Sequence, residues 1–312
     1  MRSSATKPPE KGEEGIAGSA LEAALGKAAR AVENELDRLL PVPHGRYARI
    51  HEAIRYAIFA GGKRVRPFLV LTTSKLFSVP HERALRAAAA IEAIHTYSLV
   101  HDDLPCMDDD DLRRGKPTVH VAFDEMTAVL TGDALLTLAF GILSGEQTHP
   151  SADVRCALIA RLAEAAGHDG MIGGQVLDML APQRSLVLEE IAELQRLKTG
   201  ALFEFSCEAG AILGEAGEEH RQRLRSYARD IGLLFQITDD LLDVTSSAEK
   251  TGKAVGKDDG RGKATFVSIY GVKGARDEAA KLAVRAAETV RPFDKTAPEL
   301  ALLPKYLVER EH

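Results

Sequence analysis

Between residues 19 and 290 nearly every stretch bounded by Gly or Pro spaces its apolar side chains by three and four, and that period restricts the fold more than any other feature of the chain. Leu21, Ala24, Leu25, Ala28, Val32, Leu36, Leu39 and Leu40, set among Ala, Glu, Arg and Lys, form one stripe of an amphipathic helix built from strong helix formers. The pattern recurs over 51–60, 67–77, 81–103, 127–143, 151–166, 188–213, 218–244 and 275–290. Alternating apolar and polar runs of the strand type are almost absent, so an all-α fold is expected. Segments 81–103 and 218–244 are apolar around most of their circumference, as the central helices of a bundle are.

Residues 1–18 are rich in Pro, Gly, Glu, Lys and Ser, lack the apolar centre of a secretory signal, and are read as a disordered tail. No linker interrupts the remainder, so 19–312 is expected to be a single domain. The balance of 40 Lys and Arg against 46 Asp and Glu, net -6, offers no basic field for nucleic acid. No uninterrupted apolar run of 18 residues suggests a membrane span. Cys106, Cys156 and Cys207 have neither zinc-ligand spacing nor the even count of a disulfide framework, which points to reduced thiols and a cytoplasmic protein.

Two aspartate clusters stand out against this background: Asp102-Asp103 with Asp108, and Asp239-Asp240 with Asp243. Carboxylates this close repel one another and raise one another's pKa unless a cation lies between them. An all-oxygen donor set suits a hard ion, and Mg²⁺ in particular is held by one or two carboxylates plus substrate phosphates. On a helix Asp239 and Asp243 lie on one face, with Gln236 a turn earlier on the same stripe. A solvated helix face is the alternative, but flanking Phe235, Ile237, Leu241 and Leu242 favour a buried helix whose polar stripe faces a cavity. Pro105 intervenes between Asp102 and Asp108, so the upstream helix must end or bulge before Asp108 can return to the same side.

Cationic groups accompany the carboxylates. Gly61-Gly62-Lys63-Arg64-Val65-Arg66-Pro67 presents a glycine turn and cations ahead of a helix that Pro67 would open, a phosphate-binding layout or simply a loop. His95 lies two turns before Asp102 on its face and suits a second anion, although a histidine so placed is more often a hydrogen-bonded core residue. Arg113 and Arg114 are either a solvated pair or two forks facing different anions. In Lys198-Thr199-Gly200 the glycine weakens a helix beside a cation. Residues 251–263 read as a mobile lid or an exposed connector.

Taken in order, Gly61 to Pro67, Asp102 to Pro117, Gly173 to Asp178, Lys198-Thr199 and Phe235 to Lys263 resemble the motifs of the trans-isoprenyl diphosphate synthases, among them the bacterial farnesyl diphosphate synthases. The resemblance covers most of the chain, from Tyr47 to Tyr270. It implies antiparallel helices around a deep cavity, a homodimer, and Asp102, Asp108, Asp239 and Asp243 holding three Mg²⁺ on an allylic diphosphate, with Mn²⁺ as the alternative ion. By the same resemblance Arg113, Lys198, Lys253 and Lys263 bind that diphosphate, whereas Lys63, Arg66, His95 and Arg114 bind isopentenyl diphosphate. Gln175, Asp178 and Asp258 match further polar positions near the metals.

Ionisation of an allylic diphosphate needs positive charge at the leaving group, then lone pairs that steady a carbocation without trapping it. The Thr199 hydroxyl, the Lys198 carbonyl and the Gln236 amide oxygen suit that second task, and the released diphosphate suits removal of the final proton. In the family the pocket floor lies one to two turns before the first aspartate, where this chain has Tyr97 and Ser98. An aromatic at Tyr97 together with the longer Asp-Asp-x-x-x-x-Asp spacing resembles farnesyl synthases and implies a fifteen-carbon product; geranylgeranyl synthases share the spacing. A terpene cyclase would not need the Lys63, Arg66, His95 and Arg114 set, and a non-catalytic helical partner would not need both aspartate motifs.

Overall fold

The computed structural model describes residues 11–181, 187–251 and 265–309. Among these, thirteen α-helices account for nearly all regular structure: α1 Lys11–Leu39, α2 Ala48–Ile58, α3 Val65–Leu76, α4 His81–Asp102, α5 Val119–Ala122, α6 Glu125–Ser144, α7 Ala152–Ala166, α8 Met171–Leu180, α9 Leu188–Gln195, α10 Ala201–Leu213, α11 Glu218–Thr251, α12 Phe266–Val290 and α13 Glu299–Glu309. The all-α expectation holds, with one two-stranded exception between α4 and α5. Helix α1 starts inside the stretch read as tail.

Two helices are central. Helix α4 buries Ala84, Ala87, Ala88, Ala89, Ala90, Ile91, Ala93 and Ile94, and its small side chains let α3 and α6 pack close on either side. Helix α10 buries every residue from Leu202 to Leu213 and is sandwiched by α3, α7 and α11. Segment 218–244, expected to be central too, packs as α11 against α10, α12 and α13 and buries Leu224, Tyr227, Ala228, Ile231, Leu234 and Ile237 together with Asp230, Thr238 and Asp240, while Glu218, Glu219 and His220 at its start are exposed.

Several buried charges in this core are paired. Arg64, in the left-handed conformation (φ 49°) just before α3, donates to Glu92, to Glu33 and to the Ile58 carbonyl at 2.5 Å. Glu204 and Glu208 on α10 face Arg161, Arg225 and Arg229. Removing one partner from such a pair would strand a desolvated charge, which costs about 3–5 kcal/mol. Since α3 begins at Val65, Pro67 is its third residue rather than its first.

By length and composition alone α6 could cross a membrane, a test that core helices also pass, and the expectation of no apolar run of 18 residues stands. That expectation sought an unbroken apolar run, whereas α6 disperses threonines and Asp133 among its apolar residues. Helix α6 packs along α4 through Ala128, Thr131, Leu135, Ala139 and Ile142. All three cysteines are free thiols; Cys207 is buried, and burial pushes its pKa above the usual thiol range.

Candidate active site

The first aspartate wall is made by the end of α4. After Asp102 the chain curls so that the Asp108 amide donates to the Asp102 carbonyl at 2.8 Å and the Met107 amide to the Leu104 carbonyl at 2.8 Å. This closed turn returns Asp108 to the side of Asp102, as the intervening proline required. Burial, partly offset by Lys198 and reinforced by Asp108, pushes the Asp102 carboxyl up to about 6. A group in that state lacks compensating positive charge.

Next comes a hairpin pairing Leu112 with Pro117 and Arg113 with Lys116. Its two-residue turn is Arg114-Gly115, with φ of 54° and 76°, the positive values a tight hairpin turn requires. The turn separates neighbouring guanidinium groups. Arg113, on the strand, donates from Nε to both Asp103 oxygens at 2.7 and 2.9 Å. Arg114, at the turn, donates to the Gly61 carbonyl and lies over Gly62, where a Cβ would stand 2.5 Å from the Arg114 Cζ. Two forks facing two places are therefore what the backbone provides.

Opposite, the helical run 188–213 is not continuous α-helix. Residues Arg196–Gly200 form a π-helical turn, a wider coil that commonly marks functional sites. Two glycines let neighbours approach it. A Cβ on Gly174 of α8 would come within 2.6 Å of the Lys198 Cα, and one on Gly232 of α11 within 3.0 Å of the Gly200 Cα. One turn beyond each contact stands a functional side chain. Asp178 on α8 accepts from the Lys198 ammonium. Gln236 on α11 accepts from the Thr199 hydroxyl at 3.2 Å.

The second aspartate wall follows on α11. Gln236 donates through Nε2 to Asp240 Oδ1 at 3.0 Å, and Asp240 Oδ2 accepts the Phe266 amide, at the start of α12, at 3.2 Å. This chain of bonds fixes the Gln236 amide with its oxygen toward Thr199. Asp240 is buried and its carboxyl is pushed up to about 6 by burial, whereas Asp239 is half-buried and Asp243 exposed. The sequence pattern put Asp239 and Asp243 on the cavity side, and Asp240 now proves to be the member that points into the core.

A cavity of about 440 Å³ lies beneath these walls, within the range of small-molecule sites. Arg66, His95, Asp102, Lys198, Thr199 and Gln175 contribute its polar groups. Arg66 stacks 4.6 Å from the centroid of Phe203, and its Nη1 is 3.5 Å from His95 Nε2. Burial lowers the Arg66 pKa to about 10, and Asp239 is among the charges that act on it, which ties the second wall to this cavity. Burial first, then Arg66 and Arg114, holds His95 well below its ordinary value, so the ring is neutral and accepts from Arg66. Tyr97 and Ser98, expected at the pocket floor, are among the residues lining the cavity, and the buried Tyr97 hydroxyl has no hydrogen-bond partner among the described residues.

Lys63, exposed before α3, stands three positions from Arg66. Lys253, Lys263 and Asp258 lie outside the described residues. Leu136 and Met171 also line the cavity and escaped the sequence reading, because apolar wall residues on helices look like ordinary core; His101 and Met107, on either side of the Asp102-Asp103 pair in the chain, line it too. Asp103 escaped too; buried and bound to Arg113, it orients the fork instead of facing the cavity.

Among the described residues no three carboxylate, imidazole or thiol groups converge tightly enough to cage an ion unaided. The donor set nevertheless fits Mg²⁺, which takes few protein carboxylates and completes its shell with phosphate and water. The uncompensated burial of Asp102 beside Asp108 is what such an ion would relieve.

Residues 47–296 match the model of the polyprenyl synthetase family. The farnesyl diphosphate synthase of Geobacillus stearothermophilus is 42% identical over 92% of this chain and 97% of its own length. A chloroplastic geranylgeranyl pyrophosphate synthase of Catharanthus roseus is 45% identical over 85% of this chain and 74% of its own. The crystal structure of an FPP/GFPP synthase from Zymomonas mobilis superposes with a TM-score of 0.84 at 49% identity, covering 93% of this chain and 99% of that one.

Proposed function

The chain belongs to the polyprenyl synthetase family and is a trans-prenyl diphosphate synthase, and on that premise we propose that it condenses isopentenyl diphosphate with dimethylallyl and geranyl diphosphates to give farnesyl diphosphate. The observation that carries this reading is the cavity itself, lined at once by the Asp102 carboxylate, Lys198, Arg66 and His95 and by the Tyr97 ring. Mg²⁺ held by Asp102, Asp108, Asp239 and Asp243 would supply positive charge to the allylic diphosphate as its C–O bond breaks.

The protein's own groups divide the remaining work. Lys198, oriented by Asp178, and Arg113, oriented by Asp103, direct cationic hydrogen bonds at the leaving diphosphate. Thr199 donates to Gln236 and thereby turns its oxygen lone pairs toward the cavity, where they steady the allylic cation. Arg66, Arg114 and Lys63 hold the isopentenyl diphosphate, with neutral His95 as a further hydrogen-bond donor through Nδ1. The proton lost from the new chain passes to the released diphosphate, which is a base already in contact with the product.

The fifteen-carbon limit rests on Tyr97, and geranylgeranyl diphosphate is the competing product, because the plant relative named for it is as similar as the bacterial farnesyl synthase. We further propose that the enzyme works as a homodimer. Incubating the purified protein with isopentenyl diphosphate, each allylic starter and Mg²⁺, then separating products by chain length, tests all of this. Farnesyl product that lengthens in Tyr97→Ala supports the reading, and loss of turnover with EDTA supports the metal. No condensation with any starter overturns it.

A further inference from the structure

Tyr97 is poorly secured for a residue expected to stop a growing chain. Its hydroxyl is buried with no partner among the described residues, so only packing holds the ring. The ring it meets edge-on is His101, one helical turn along α4, with centroids 5.9 Å apart and planes at 79°. His101 in turn is fixed from α6: its Nε2 is 3.0 Å from the Val129 carbonyl, and because a carbonyl only accepts, Nε2 carries the proton. The imidazole reaches that carbonyl by lying across Gly132. A Cβ there would overlap the ring, coming 2.7 Å from Cε1 and closer still to Nε2 and Cδ2.

We propose that His101 is a second specificity-determining residue, a side wall that braces Tyr97, and that Gly132 is the positioning residue that seats it. The inference rests on the synthase reading above and adds to it that product length is set by α6 as well as by α4. Removing the imidazole widens the cavity toward Leu136 and frees the Tyr97 ring to swing into the vacated space, opening the way to a longer chain. Adding a methyl at Gly132 does the reverse. Helices α4 and α6 are packed along their length and His101 already lines the cavity, so the displaced ring is expected to turn into it.

The two substitutions are therefore expected to move product length in opposite directions. His101→Ala, with Tyr97 intact, shifts the main product up by one isoprene unit. Gly132→Ala shifts it down, so that geranyl diphosphate accumulates. In the double variant the methyl has no ring to displace, and the profile matches His101→Ala. A merely structural glycine would change stability or total turnover without this sign reversal and without its disappearance in the double variant. An unchanged profile in active His101→Ala overturns the proposal, as does shortening by Gly132→Ala that persists without His101. If the wild type condenses nothing, the synthase reading falls, and the brace is then read from calorimetric binding of farnesyl and geranylgeranyl diphosphates. His101→Ala must narrow the preference for the shorter tail, and an unaltered ratio overturns it.

Discussion

His95 carries a pH signature that separates it from the carboxylates around it. Burial, then the guanidinium groups of Arg66, Arg114, Arg64 and Arg113, lower its folded pKa well below 6.5, so the unfolded chain binds a proton there that the folded chain refuses. Its contribution is complete above pH 6.5 and is lost on acidification, by up to about 1.4 kcal/mol per pH unit until the folded pKa is reached. Asp102 and Asp240, both raised to about 6, slope the other way between pH 3.8 and 6, because there the folded state holds the extra protons. The difference between wild type and His95→Gln in denaturant midpoints from pH 7 to 5 isolates the histidine. A difference that does not change over that range would contradict a neutral buried ring. A second residue-scale expectation concerns Asp240. Asp240→Ala leaves the Gln236 amide unanchored and removes the acceptor of the Phe266 amide. With its orientation lost, Gln236 should no longer position the Thr199 hydroxyl, and kcat at saturating substrates and Mg²⁺ should fall about 10- to 100-fold, equivalent to about 1.4–2.7 kcal/mol of transition-state stabilisation. Near-normal kcat would show that Gln236 does not need this anchor.

At the scale of elements, the π-helical turn at Arg196–Gly200 is the device that turns a core helix into part of an active site. It exists in contact with α8 and α11, whose glycines admit it, so Gly174→Ala should force either the turn or α8 to move. Overpacking of this kind costs about 1–3 kcal/mol. The expected result is a lower melting temperature together with a larger loss of turnover than Gly217→Ala gives, since nothing lies near a Cβ at Gly217. Equal effects of the two would mean that the close approach is unimportant. Sequence reading found part of this arrangement. Gly200 was legible as a weak point because one glycine in a helical run is visible by itself, and Gln236, Asp239 and Asp243 were legible because helical spacing fixes their common face. Gly174 and Gly232 were not, because their meaning lies in a contact with a segment far away in the chain. Helix α8 went unrecognised because Gly173 and Gly174 dilute its apolar stripe, and the Arg114-Gly115 turn because Arg113 and Arg114 read equally well as a solvated pair. That the helix ends or bulges before Asp108 was legible from the six-residue spacing and Pro105, whereas the backbone bonds that close the turn were not.

For the whole molecule the open question is what covers the outer side of α6. Its inner side is spent on α4, yet Met126, Val129 and Leu130 stand 64%, 41% and 49% exposed, beside Tyr47 at 72%. Arg46, Arg49 and Asp133 edge the same open groove, giving an apolar centre with a charged rim. A contiguous exposed apolar helix face marks an interaction site, and a second copy of α6 offers the matching surface under twofold symmetry. Met126→Glu with Leu130→Glu places two carboxylates per subunit where the copies would meet, so sedimentation should show the mass halved; an unaltered mass would place the interface elsewhere. The same helix holds the Val129 carbonyl that fixes His101. If the partner steadies α6, the monomeric variant should keep its first condensation but lose discrimination in the last, giving a broader product distribution than the dimer. A monomer with the wild-type product profile would show that α4 alone keeps the brace in place.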